Sequence, residues 1–229
     1  MLRGLKRALA LVTLSAVFSA GAYAQTFTEV GDAGATPAAA QAVPGAVVRI
    51  EGNLQAPGDV DVYRFTLDSP GLVTIDAWGV EGASPTCAGG YPTIDANLIL
   101  MDAARLPLWG DDDSDPNHCY GSRIELDLAA GSYYLAFGEN NIVAEDAGGD
   151  FLCDNDDGGD CASVTTPVDR FGASGDNAGA YVITFSRATG GAAGPVGSVA
   201  PVPGPVGLAL LPLLLAMGWL GSRALGRRA

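Results

Sequence analysis

The chain has 229 residues, 48% of them hydrophobic, with twelve basic residues, twenty-six acids and one histidine, a formal charge of −14. All twenty-six acids lie between Glu29 and Asp176, and between residues 25 and 204 only six arginines and no lysine accompany them, so that body carries −20. Such a field repels nucleic acid and anionic lipid, which makes both poor partners for the body, and favours cations; about 180 residues suffice for one domain with a sizeable core.

At the N-terminus, Arg3, Lys6 and Arg7 precede a short apolar run over 8–18, and Ala22-Tyr23-Ala24 is a small-x-small cleavage site. This is the pattern of a secretory signal peptide spanning 1–24 and cut after Ala24; the run is too short for a membrane anchor. Residues 25–44, Ala-rich with Gly31, Gly34 and Pro37, read as a lead-in to the first strand.

The next segment, 45–187, reads as strands. VVRIEGNL (47–54), DVDVYRFTL (59–67), GLVTIDAWG (71–79), DANLILMD (95–102), SRIELDL (122–128), GSYYLAFGE (131–139) and GAYVITFSR (179–187) are short and rich in β-branched and aromatic residues, with Gly, Pro, Asn and Asp between them. In the second run Tyr63 and Phe65 alternate with Val62 and Arg64, and the aromatic set is expected to turn inward. No helical period appears. The expected fold is all-β, an antiparallel β-sandwich of jelly-roll type.

Four cysteines in an exported body are expected to form disulfides. Three pairings exist. Cys87–Cys119 and Cys153–Cys161 is preferred, because the second pair closes one Asp/Gly-rich loop and the first ties the insertion after Gly79 to the loop after Trp109. A thiolate metal site would need close Cys-x-x-Cys spacing, which is absent.

Acidic turns are the candidate cation sites, since calcium takes several oxygen ligands from one loop. Asp111, Asp113 and Asp115 place carboxylates at alternate positions after a strand ending at Trp109, although Pro116 stands where an EF-hand loop needs glycine. The 154–160 run lacks the distal Glu of such a loop, and Asp59 and Asp61 flank a strand start. For each, turn chemistry with a solvated carboxylate is the plainer reading. Catalytic motifs are not found: the sequence has no Gly-x-Ser-x-Gly, no His-Glu-x-x-His and no phosphate-binding glycine loop, and His118 is its one histidine. The expectation is a non-enzymatic module; the alternative is a secreted hydrolase with a glycosidase-like carboxylate pair in a cleft.

Beyond the strands, 188–204 is an uncharged Gly/Ala/Pro linker, and 205–229 holds an uncharged Leu-rich run (206–220) capped by Arg223, Arg227 and Arg228. Fifteen helical residues span roughly 22 Å against roughly 30 Å of hydrocarbon, a marginal transmembrane helix, and the positive-inside rule puts its arginines in the cytoplasm.

Two resemblances follow from these residues. Gly58-Asp59-Val60-Asp61-Val62-Tyr63-Arg64-Phe65, DANLILMDAARLPLWGDDD (95–113) and LAAGSYYLAFGEN (128–140) resemble the bacterial pre-peptidase C-terminal domain, with an insertion between Asn140 and Gly179. That resemblance implies a secreted β-sandwich acting as a binding or accessory module, with calcium and extracellular polysaccharide or protein among the ligands of some members. Pro201, Pro203, Gly204 and Pro205, the Leu-rich run and the terminal arginines resemble the PEP-CTERM sorting signals of Gram-negative bacteria, with Gly204 where that motif has Glu. It implies processing by an exosortase-type transpeptidase and a destination at the inner membrane, the cell surface or outside the cell.

The mature chain is therefore expected to begin at Gln25 and either to keep its tail in the membrane or to be cut near Pro203. Mass spectrometry of protein from the native host checks both ends; recovery of a soluble cytoplasmic form with Met1 intact would contradict the expectation.

Overall fold

The computed structural model of the chain describes residues 24–80, 87, 92–153 and 159–190. Ala22 and the rest of the signal segment, most of the linker, and Pro201, Pro203, Gly204, Pro205, Arg223, Arg227 and Arg228 lie outside the described residues; Ala24 is described and exposed. Among the described residues, no helix is long and apolar enough to cross a membrane.

In chain order the strands are β1 (Gln25–Thr28), β2 (Gln41–Ala42), β3 (Val47–Leu54), β4 (Val60–Leu67), β5 (Gly71–Gly79), β6 (Ala96–Asp102), β7 (Pro107–Asp112), β8 (Ser122–Leu128), β9 (Gly131–Glu139), β10 (Ile142–Glu145), β11 (Phe151–Cys153), β12 (Gly159–Asp160), β13 (Arg170–Ala173) and β14 (Gly179–Phe185). A single 3-10 turn at Pro37–Ala39 is the helical element among the described residues. One sheet has the order β1-β3-β14-β5-β8, a second β12-β7-β6-β9-β4-β2, and a small third β11-β10-β13.

The first two sheets stack because each presents an apolar face. Ile50, Ile75, Ile124 and Ile183 from one meet Tyr63, Phe65, Leu98, Leu100, Leu135 and Phe137 from the other in one buried cluster. The aromatic set of β4 thus turns inward, as its alternation requires. The six-stranded sheet is also covered on its other face. Val60, Val62, Ile99, Met101 and Ala136 pack against Ile142, Ala144 and Val168 in a second cluster, with the three-stranded sheet as the cover. This double burial explains why Ala96 to Met101 are buried without alternation, a pattern that a strand dry on both faces must show.

The sandwich is as expected, but the sheets are not purely antiparallel. β1 pairs parallel with β3, and β2 pairs parallel with β4. Both come from the 25–44 segment that the sequence presents as a lead-in, and they close one edge of each large sheet.

Two disulfides form, Cys87–Cys119 and Cys153–Cys161, with Cα separations of 5.3 and 5.9 Å. They close loops of sequence separation 32 and 8. Restricting the unfolded chain to such loops stabilises the fold by about 3.7 and about 2.5 kcal/mol respectively. Replacing Cys87 and Cys119 together by serine is therefore expected to lower unfolding stability more than the same change at Cys153 and Cys161. Denaturant unfolding checks the order, and an equal or reversed loss would contradict it.

Candidate functional site

The body's carboxylates concentrate where strands begin and end. Asp61 stands second in β4, on the same side as Tyr63 and Phe65, so the strand drives it inward and leaves it fully buried. Tyr181 of β14 meets it there: its hydroxyl donates to Asp61 Oδ2 at 2.6 Å, and the Tyr63 hydroxyl lies 2.6 Å from that of Tyr181. With Asp61 ionised, the single proton of Tyr181 is committed to the carboxylate, so Tyr63 must donate to Tyr181. Room for the Tyr181 ring exists because β3 has Gly52 opposite it, where a Cβ would collide with the phenol. Asp61 Oδ1 has no hydrogen-bond partner.

Two further carboxylates approach Asp61. The chain leaving β1 turns through Gly31 and Gly34, both at positive φ, and docks by the Val62 amide donating to Gly34 O at 3.1 Å. Glu29 is held by two amides, Ala33 N to Oε1 at 3.0 Å and Asn53 N to Oε2 at 2.7 Å. Glu29, Asp32 and Asp61 each offer an oxygen within 4.8 Å of the others, half-buried, exposed and buried in turn. None of the described ion pairs reaches them. Burial pushes Asp61 up to about 7, helped by the charges of Glu29, Asp59 and Asp32 and opposed by the Tyr181 hydrogen bond. Burial raises Glu29 as well, against its two amide donors.

A second triple comprises Asp95, Asp112 and Asp113, again within 4.8 Å. Asp112 accepts from Asn97 Nδ2 at 2.7 Å, and Asp95 Oδ1 is buried without a partner. Burial and then the neighbouring acids push Asp95 to about 6 and Asp112 to about 7.

The expected calcium set, Asp111, Asp113 and Asp115, is not one of the two carboxylate groups found among the described residues. β7 runs on to Asp112, and Asp111 points inward to β8, where its Oδ1 accepts from Ser114 Oγ at 2.8 Å and Arg123 N at 2.6 Å. Asp115 is buried and spent on the same loop: Oδ1 accepts from Asn117 N at 2.8 Å and Oδ2 lies 2.5 Å from His118 Nδ1. Only Asp113 reaches a triple. The His118 ring lies flat on Trp78, centroids 3.9 Å apart, which fastens this loop to the outer face of the five-stranded sheet. No nucleophile joins the Asp115–His118 pair among the described hydrogen bonds.

The sandwich also opens sideways. Between β7 of the six-stranded sheet and β8 at the edge of the five-stranded one lies a cleft of about 420 Å³, walled by Leu108, Trp109, Leu126 and Tyr133 with Asp102 and Asp127 among its lining. None of the six carboxylates of the two triples lines it.

No family model and no curated protein matches the chain. Among solved structures it is similar to the pre-peptidase C-terminal domain of collagenase from Bacillus anthracis, at 12% identity over 71% of this chain and 96% of that one, with a TM-score of 0.35.

Burial lifts Asp61, Asp95, Asp111 and Asp112 to about 6 or 7 in the folded state. Unfolded aspartates titrate near about 3.9, so between pH about 4 and 7 the folded chain holds more protons and its metal-free stability falls as pH rises. Asp146, lowered by the amides of Asp150, Gly148 and Gly149, acts the opposite way but is a single group against four. Urea midpoints in chelator are expected to drop from pH 5 to pH 7; a rise across that window would contradict the assignment.

Proposed function

We propose that the chain is an exported, non-catalytic binding module of the bacterial cell envelope, and that its sandwich takes calcium at Glu29, Asp32 and Asp61 while it holds extracellular polysaccharide or protein. The observation that carries the reading is the partnerless oxygen of the fully buried Asp61. A buried carboxylate oxygen without a donor is costly, and a hard dication beside two further carboxylates removes that cost. Calcium fits the donor set better than zinc or copper, because all three side chains are hard oxygen ligands with no His or Cys among them. Backbone carbonyls and water supply what three carboxylates leave open. Asp95, Asp112 and Asp113 form a second, shallower place of the same chemistry.

Export is supported by the signal segment, the basic-capped tail and two disulfides, which persist in oxidising compartments. The tail is taken to anchor the protein in the inner membrane or to be removed by an exosortase-type enzyme. Against the hydrolase alternative stands the composition of the cleft. The carboxylates raised toward neutrality lie elsewhere, and Asp102 inside it already accepts from the amides of Ala104 and Leu106 at 2.8 and 2.9 Å. His118 is stacked and tied to Asp115, outside that cleft.

Thermal unfolding of the purified protein in millimolar calcium and in chelator tests the reading. Calcium at a hundredfold excess over its dissociation constant is expected to stabilise by about 2.7 kcal/mol. Asp61→Asn keeps an acceptor for Tyr181 and removes the charge, so it is expected to fold and to lose most of the calcium response. Identical melting of the wild type in both buffers would overturn the calcium assignment, and hydrolysis of a glycan or peptide by the pure protein would overturn the non-catalytic one.

A further inference from the structure

The lateral cleft has a chemistry unlike the rest of the molecule. Leu108, Trp109 and Leu126 pack against the main core yet stay half-exposed, so the apolar interior is open to solvent along this edge. A cleft of about 420 Å³ lies within the size range of ordinary ligand pockets. Its charged lining is acidic only. Asp102 is fixed through Oδ1 by two backbone amides, Asp127 is exposed on β8, and none of the described ion pairs uses either. The Tyr133 hydroxyl donates to Ala129 O at 2.8 Å and is therefore spent as a donor.

A sugar needs both donors and acceptors along its ring, whereas these side chains offer an indole face, aliphatic walls and carboxylates. That combination suits a cation on an apolar stem. A planar guanidinium lies flat on an aromatic face and takes a carboxylate through its edge, while the three-carbon stem covers apolar wall. The −20 of the body steers such a ligand inward from a distance.

We propose that this cleft docks an arginine side chain of a partner protein, held between Trp109 and the carboxylates of Asp102 and Asp127. The proposal rests on the reading of the chain as a binding module and gives its partner a chemistry: a basic segment of an extracellular or surface protein. It is independent of the calcium site, whose residues lie outside the cleft.

The full chain, isotopically labelled at nitrogen, has three indole signals, from Trp78, Trp109 and Trp219, and Trp109→Phe assigns the one of interest. It is titrated with acetyl-Gly-Arg-Gly-amide, with the citrulline isostere, and with a neutral glucan oligosaccharide. The arginine peptide is expected to move the Trp109 signal and leave Trp78 in place, to bind at least about tenfold tighter than citrulline, and to weaken with salt. Asp127→Asn is expected to weaken it about two- to fivefold, the range of one exposed charge pair, while leaving the calcium-dependent melting shift unchanged. Equal binding of citrulline, preference for the oligosaccharide, or no movement of Trp109 with any probe would each overturn the proposal. A lost calcium shift with intact arginine binding would count against the calcium site alone.

Discussion

One buried hydrogen bond organises the sandwich, the donation from Tyr181 of β14 to Asp61 of β4 at 2.6 Å. It crosses from one large sheet to the other inside the core, and the Tyr63 hydroxyl extends it. A charged group on this path would be prohibitive without donors, and Tyr181 provides only one. The other oxygen has no donor, and the segment that leaves β1 brings its own carboxylates, Glu29 and Asp32, within 4.8 Å of the Asp61 carboxylate. The N-terminal strand, the Gly31–Gly34 turn and the β3–β4 connection therefore share one electrostatic problem. Four ordered contacts hold that arrangement without an ion: the amides of Ala33 and Asn53 on Glu29, the Val62 amide on Gly34 O, and the Gln55 side chain on Gly31 O at 2.8 Å.

The long strands were legible because burial on one face enforces alternation and turns enforce punctuation. β3, β5, β8 and β9 have the bounds that their apolar runs predict, and β4 and β6 start one residue late. The β1 and β2 pairings were not legible, since QTFT and QA carry no pattern that distinguishes a parallel edge strand from a loop. Nor was the third sheet: IVAE, FLC and RFGA are too short to show a period, and only their cover of Val62 and Ile99 gives them a place.

The carboxylates divide on the same principle. Asp111 and Asp115 looked like ligands because alternate acids after a strand resemble a calcium loop, but the strand continues, and its pleat turns Asp111 into the protein. The sequence did hold a signal for Asp61. It has the parity of Tyr63 and Phe65, so once those face inward a carboxylate must face inward with them, and an inward acid is a functional flag. Glu29 and Asp32 had no such signal; about thirty residues separate them from Asp61 and only the parallel pairing of β1 with β3 brings them near.

Two features of one domain stand apart: a carboxylate pocket beside the N-terminal segment, and an open inter-sheet edge with an indole wall. The carboxylate pocket depends on the ionisation of Asp61. Carbon-13 NMR of its side-chain carboxyl, followed through a pH titration with and without calcium, tests this most directly. In chelator the carboxyl is expected to take up its proton near pH 7, as burial dictates, and in calcium to stay ionised well below that pH. A carboxyl that titrates in the ordinary aspartate range in chelator, or that ignores calcium altogether, would contradict the account.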